Sequence, residues 1–173
     1  MAEILVEQVD DPPKAVKRDL PPGYVLDKDG KPCKTCNSLL DFRKAKGFAG
    51  AALAAPRASD CPPDVEELGR STWTFLHSVA ATYPVTASTM QQADMQSFFR
   101  VFGQIYPCSH CAQDFRTWIA VPANAPRVGG REEFGRWLCD AHNEVNRKLG
   151  KPKFDCDLWK SRWLDGWPDG RCD

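Results

Sequence analysis

Eight cysteines stand in this 173-residue chain, and four of them form two CxxC pairs, Cys33/Cys36 in "GKPCKTC" and Cys108/Cys111 in "YPCSHC". Thiols at this spacing serve one of three chemistries: half of a zinc site, a structural bridge, or a redox centre that opens and closes. A four-cysteine zinc site usually sets its CxxC pairs about 15 to 20 residues apart. Here they lie 75 positions apart. A structural CxxC bridge stabilises little, because it closes a very short loop. Redox exchange is the use that remains. A cysteine at a helix start has its thiolate stabilised by exposed N–H groups and the helix dipole, so it both attacks and leaves well. His110, between Cys108 and Cys111, either adds charge there or faces solvent.

Two polar stripes form a second candidate site. Arg70, Trp73 and His77 recur at helical spacing and line one face, away from the apolar stripe of the same segment. Cys139, His142, Asn143 and Asn146 do the same beside another apolar stripe. Taken together they point to a buried ligand with a flat ring and many hydrogen-bonding atoms, because buried polar groups must find partners.

The elements that position these residues are helical. Asp64 caps a first helix, with Glu67 as box partner, and Val65, Leu68, Thr72, Leu76, Val79 and Tyr83 give its stripe up to Pro84. A second helix runs from about Thr89 to Tyr106 with Phe98, Phe102 and Ile105 inward. A third starts at the CxxC, with Pro107 in its first turn, and reaches about Ile119. A fourth carries Phe134, Leu138, Ala141, Val145 and Leu149, and Gly150 ends it. A short fifth lies in "CDLWKSRWLDGW". No segment alternates like a strand, so the expected fold is an all-α bundle. Before residue 60 the composition shifts to Pro, Gly and Ala, as in "DDPPKAVKRDLPPGY" and "GFAGAALAAPRAS". Residues 1–60 are expected to be a flexible arm carrying one CxxC, and 61–173 the folded domain.

Composition narrows the partners. Lys+Arg and Asp+Glu balance at 23 each, so no field of one sign attracts nucleic acid or an anionic surface. No window approaches the roughly 18 apolar residues of a membrane span, and "MAEILVEQVDDPPK" lacks the regions of a secretory signal. The expectation is a soluble protein that is not conventionally secreted. Eight cysteines could pair in 105 ways. A disulfide-stapled secreted module conflicts with both the missing signal and the length, whereas an oxidising site inside the cell reconciles them.

The stretches "ELGRSTWTFLHSVAATYP", "YPCSHC", "WLCDAHNEVNRKLGKPKFDC" and "RWLDGW" closely resemble the Erv/ALR family of FAD-dependent sulfhydryl oxidases, from about Asp60 to the C-terminus. "GKPCKTC" resembles the shuttle segment of its mitochondrial members. The resemblance implies a four-helix bundle with a short fifth helix, FAD at its mouth, and a homodimer built through the first two helices. The implied FAD contacts are Val65, Glu66, Glu67, Leu68, Gly69, Arg70, Ser71, Thr72, Trp73, His77, Tyr106, Cys139, His142, Asn143, Val145, Asn146, Lys148, Leu149, Lys151, Arg162 and Trp163. Cys139 and Cys156 match the family's structural disulfide. Cys61 and Cys172 match cysteines that link subunits in animal members. The implied chemistry is a relay. A substrate dithiol reduces Cys33–Cys36, the arm passes the electrons to Cys108 as exposed exchanger, and Cys111 stacks on the flavin. Oxygen, giving hydrogen peroxide, or cytochrome c is the implied final acceptor. The implied substrate is the import oxidoreductase of the mitochondrial intermembrane space. A thioredoxin-like enzyme would need a βαβ pattern, which the sequence lacks. No metal site is expected.

Overall fold

The computed structural model describes Val25, Leu26, Cys33, Cys36, Asn37 and residues 61–172. The expected flexible arm therefore lies outside the described residues, apart from those five. Among the described residues there are five α-helices: α1 (Val65–Thr82), α2 (Thr89–Ile105), α3 (Ser109–Ile119), α4 (Arg131–Lys148) and α5 (Trp159–Trp163). One short 3-10 turn, Pro122–Asn124, follows α3, and another, Cys156–Leu158, leads into α5. The fold is all-α, as the sequence leads one to expect. None of the described helices is long and apolar enough to cross a membrane.

Local chemistry sets each helix boundary. Glu66 and Glu67 donate their backbone N–H to Asp64 Oδ1 (3.0 and 2.9 Å), which caps α1. Ser88 and Gln91 form a reciprocal capping box at α2. α3 departs from expectation: Pro107 stands one place outside it, and Cys108 is the N-cap, in extended backbone, with Sγ accepting the Cys111 N–H at 3.3 Å. α4 ends in a Schellman motif. Gly150 has a positive φ of 67°, its N–H reaches Arg147 O at 3.2 Å, and the Lys151 N–H reaches Asn146 O at 2.8 Å.

α1 packs on α4 and α2 on α3, while α5 leans on α1 and α4. Phe99, Phe134, Trp137 and Leu138 are fully enclosed at the centre, joined by Leu76, Ala80 and Tyr83. Phe99 meets Trp137 edge-on at 4.7 Å and Phe134 at 5.7 Å between ring centres. The Trp137 indole N–H donates to Asn124 O at 2.9 Å. One helix phase differs from the sequence reading. On α2, Phe99 is the core residue, Phe98 and Phe102 sit at its flank, and Ile105 is 72% exposed. On α4 the expected Phe134, Leu138 and Ala141 are buried, joined by Trp137, while Leu149 at its end is 62% exposed. Adjacent aromatic residues allow two stripes about 100° apart, and packing against the neighbouring helices selects one.

Candidate functional site

The two CxxC pairs are both closed disulfides, Cys33–Cys36 and Cys108–Cys111. Cys139–Cys156 is a third, tying the end of the 151–156 segment to α4. Cys61 and Cys172 are exposed and unbridged within the chain.

The core pair sits where α2 hands over to α3. Phe102, Tyr106 and Phe115 form an aromatic bracket around this junction, with Phe102 to Phe115 at 5.7 Å and Phe102 to Tyr106 at 5.1 Å. Arg116 donates to Gly103 O, which fastens α3 to α2. Accessibility within the pair reverses the expectation. Cys108 is 0% exposed, so it is not an exposed exchanger, whereas Cys111 is half-buried. The Cys108 side chain also turns toward the first turn of α3, where it caps the helix.

The polar stripes converge on one another. Trp73 of α1 stacks on His142 of α4 at 4.1 Å with planes 3° apart. His77 stacks on Trp163 of α5 at 4.4 Å. His77 Nε2 and His142 Nδ1 share a hydrogen bond of 3.1 Å. Four rings from three helices thus form one cluster. His77 is 2% exposed, and its Nδ1 is a buried polar atom without a hydrogen-bond partner among the described residues. Burial, with repulsion from a protonated His142 and from Arg162 adding to it, lowers the His77 pKa to about 3. Burial likewise lowers His142 to about 4, helped by Lys151 and Arg162. The pair is therefore neutral at pH 7. Thr72 Oγ1 lies 3.2 Å from Tyr106 Oη, and this contact links the ring cluster on α1 to the residue two places before Cys108.

Other predicted contacts fall into distinct groups. Val65, Leu68, Gly69, Val145 and Asn146 are half-buried on α1 and α4. The Arg162 guanidinium lies over the Trp163 ring at 4.2 Å. Asn143 is already engaged: its amide donates to Phe154 O and accepts the Phe154 N–H, both at 2.8 Å, which holds that segment beside the Cys139–Cys156 bridge. Glu66, Glu67, Arg70, Ser71, Lys148, Leu149 and Lys151 are exposed. Arg70 pairs with Glu66 at 4.0 Å, and Lys148 with Asp114 at 2.6 Å, so neither enters the ring cluster. Sequence reasoning missed Asn37, which is 1% exposed. Its place directly after a CxxC was the available signal, since Asn favours turns.

Residues 70–164 match the family described as Erv1 / Alr. The chain is 46% identical to the mitochondrial FAD-linked sulfhydryl oxidase ERV1 of Saccharomyces cerevisiae, over 84% of this chain and 89% of that protein. It is 41% identical to the mitochondrial FAD-linked sulfhydryl oxidase erv1 of Schizosaccharomyces pombe, over 84% and 93%. Among solved structures, the yeast Erv1 core superposes with a TM-score of 0.60 at 52% identity, covering 69% of this chain and 99% of that one. The FAD binding domain of Erv1 from Saccharomyces cerevisiae gives 0.58 at 57% identity, covering 61% and 99%. With a family match spanning more than half its length, the chain belongs to the Erv1/Alr family.

Proposed function

We propose that this protein is an FAD-linked sulfhydryl oxidase of the mitochondrion that forms disulfides in a protein substrate. One observation carries the reading. A closed disulfide at the start of α3 adjoins, through Thr72 and Tyr106, a cluster of four flat rings with an unpartnered buried imidazole nitrogen. A buried polar atom wants a ligand partner, and stacked rings want a planar one, so these residues fit a flavin. Trp73, His77, His142 and Trp163 would hold the ring system, while Arg162 and Lys151 supply positive charge suited to its diphosphate. FAD, when bound, supplies a two-electron acceptor for a thiol pair and an outlet to oxygen, as hydrogen peroxide, or singly to cytochrome c.

The cysteines then act in series. A substrate dithiol attacks the Cys33–Cys36 bond through a mixed disulfide and leaves as a disulfide, and Cys33 and Cys36 are left as thiols. They pass the same two electrons to Cys108–Cys111 by a second exchange. Cys111, the half-buried member, would be the sulfur that meets the cofactor. Exchange at the enclosed Cys108 requires local opening of the first turn of α3.

The division into a shuttle arm at 1–60 and an FAD-binding domain at 61–173 belongs to this proposal. So does the intermembrane space as location, where the import oxidoreductase is the proposed substrate. A homodimer through α1 and α2 is supported by an apolar groove of about 330 Å³ lined by Phe75, Val79, Tyr83, Met95 and Phe98. Exposed Ile105 and Val101 lie on α2 as well. Cys61 and Cys172 are exposed, and a twofold axis would pair each with the other in the partner chain. The reading is tested on purified protein. Flavin absorption near one cofactor per chain is expected, with hydrogen peroxide formed from dithiothreitol; a colourless, inactive protein overturns it.

A further inference from the structure

We propose that Asn37 is a positioning residue for the redox reaction of the arm pair, its buried carboxamide fixing the loop in which Cys33 and Cys36 meet. The side chain is enclosed and fully engaged. Asn37 Oδ1 accepts the Val25 N–H at 2.8 Å, while Nδ2 donates to Val25 O and to Cys33 O, each at 2.7 Å. The amide can be oriented only this way, since flipping it would set an oxygen against two carbonyls. Around it, the Cys33 N–H donates to Val25 O at 3.1 Å, and Cys33 O accepts the N–H of Cys36 and of Asn37, both at 3.2 Å. Cys33 O therefore collects three donors, and one of them crosses from the Asn37 side chain.

None of these bonds involves sulfur, so all of them persist when the disulfide opens. Their effect is to keep the two thiols close after reduction. A dithiol already held near its bonded geometry surrenders less chain entropy on closing, which raises the effective concentration of one thiol at the other. The reaction that reads this out is balanced: two glutathione thiols give two electrons and two protons to the Cys33–Cys36 bond, yielding two thiols and glutathione disulfide. With Asn37 in place the equilibrium favours the bridge, and the arm is a milder oxidant than an unsupported CxxC.

The experiment uses the full chain with its flavin, equilibrated without oxygen in glutathione buffers of graded ratio. Cys33 and Cys36 are then alkylated, and their peptide is weighed. Asn37→Ala should raise the reduction equilibrium constant about tenfold, which is about 30 mV toward a stronger oxidant. Asn37→Asp has the same shape and keeps the acceptor for Val25 but loses both donors, so it should shift the equilibrium in the same direction at least as far. Flavin content and helical circular dichroism check that the bundle is intact. Both variants staying within twofold of the parent overturns the proposal. The inference rests on the relay reading, yet the two fail separately: undiminished oxidation of a folded protein substrate by the chain with Cys33 and Cys36 replaced by Ser removes the relay, while a shifted equilibrium in the Asn37 variants still leaves Asn37 its role.

Discussion

The arm and core disulfides share a CxxC spacing and differ in what supports them. Around Cys33–Cys36, the contacts among the described residues are hydrogen bonds that join Val25, Cys33, Cys36 and Asn37. Cys108–Cys111 instead caps a helix and stands behind an aromatic bracket built from α2 and α3. Hydrogen bonds to the backbone hold the arm pair, whereas a bracket of rings from two helices holds the core pair. The first arrangement suits the carrier proposed above and the second the proposed station beside a cofactor. The difference teaches that one spacing can serve two tasks according to whether backbone hydrogen bonds or packed rings support it.

The largest effect tests the fixed station. Cys111→Ser keeps the helix and the cap at Cys108 but removes the sulfur proposed to meet the cofactor. Thiol oxidation should fall on the order of 10³-fold or more, with flavin content and melting temperature close to the parent. Peroxide formed from dithiothreitol at the normal rate would break the comparison, since the core pair would then have no special task.

The next effect tests the carrier. Replacing Cys33 and Cys36 together by Ser should lower oxidation of a folded protein substrate on the order of 10²-fold, because a tethered carrier raises the local concentration of the exchanging thiol. Dithiothreitol is small enough to reach the core pair itself, so its oxidation should stay within about twofold. Equal loss with both substrates would mean that the arm acts on the core in some other way.

How much of this was legible beforehand follows from the range of each interaction. The start of α1 and the end of α4 depend on caps a few residues long, and these can be read directly at Asp64 and Gly150, whereas α2 was expected from about Thr89 without its Ser88–Gln91 box being read. The spacing of Trp73, His77 and His142 pointed to a ring site, and the structure brings all three together. What escaped was set by packing. Phe99 and Phe98 are equivalent by type, and only contact with Trp137 and Phe134 separates them. Asn143, expected as a ligand contact, also clamps the Phe154 backbone, a partner 11 residues away that periodicity cannot reveal. The start of α3 likewise escaped, because the extended backbone of Cys108 makes it the cap and leaves Pro107 outside the helix.

A third prediction contrasts redox and structural bridges. Cys139–Cys156 spans 17 positions, so by loop-closure entropy its removal through Cys156→Ser should cost about 3 kcal/mol. In a domain of this size the melting temperature should fall by roughly 10 °C. Loss of both core cysteines, Cys108 and Cys111, should lower it far less, because their loop is so short. A thermal scan of the two variants side by side decides the matter. Comparable losses would mean that the core bridge is structural too.

The smallest effect concerns the ring cluster, whose imidazoles are both depressed below the ordinary histidine value of 6.5, His77 to about 3 and His142 to about 4. Their shared hydrogen bond needs one nitrogen to donate and the other to accept, so protonating both rings sets two N–H groups face to face. Above about pH 6.5 the native and unfolded chains both hold these rings neutral, and pH has no leverage through them. Below it the unfolded chain takes up protons that the native pair refuses, so stability falls as pH drops from 6.5 and levels off below 4 to 3. For the enclosed His77 the slope should be about 1 kcal/mol per pH unit. Urea unfolding between pH 7 and 4 measures it, and His77→Phe, which keeps a flat ring against Trp163 and cannot titrate, should flatten the curve by about half. Bound flavin should be retained less well over the same window, because whatever unfolds the cluster also releases its ligand. An identical pH slope in parent and His77→Phe would show that acid sensitivity arises elsewhere and that the ring pair tolerates charge.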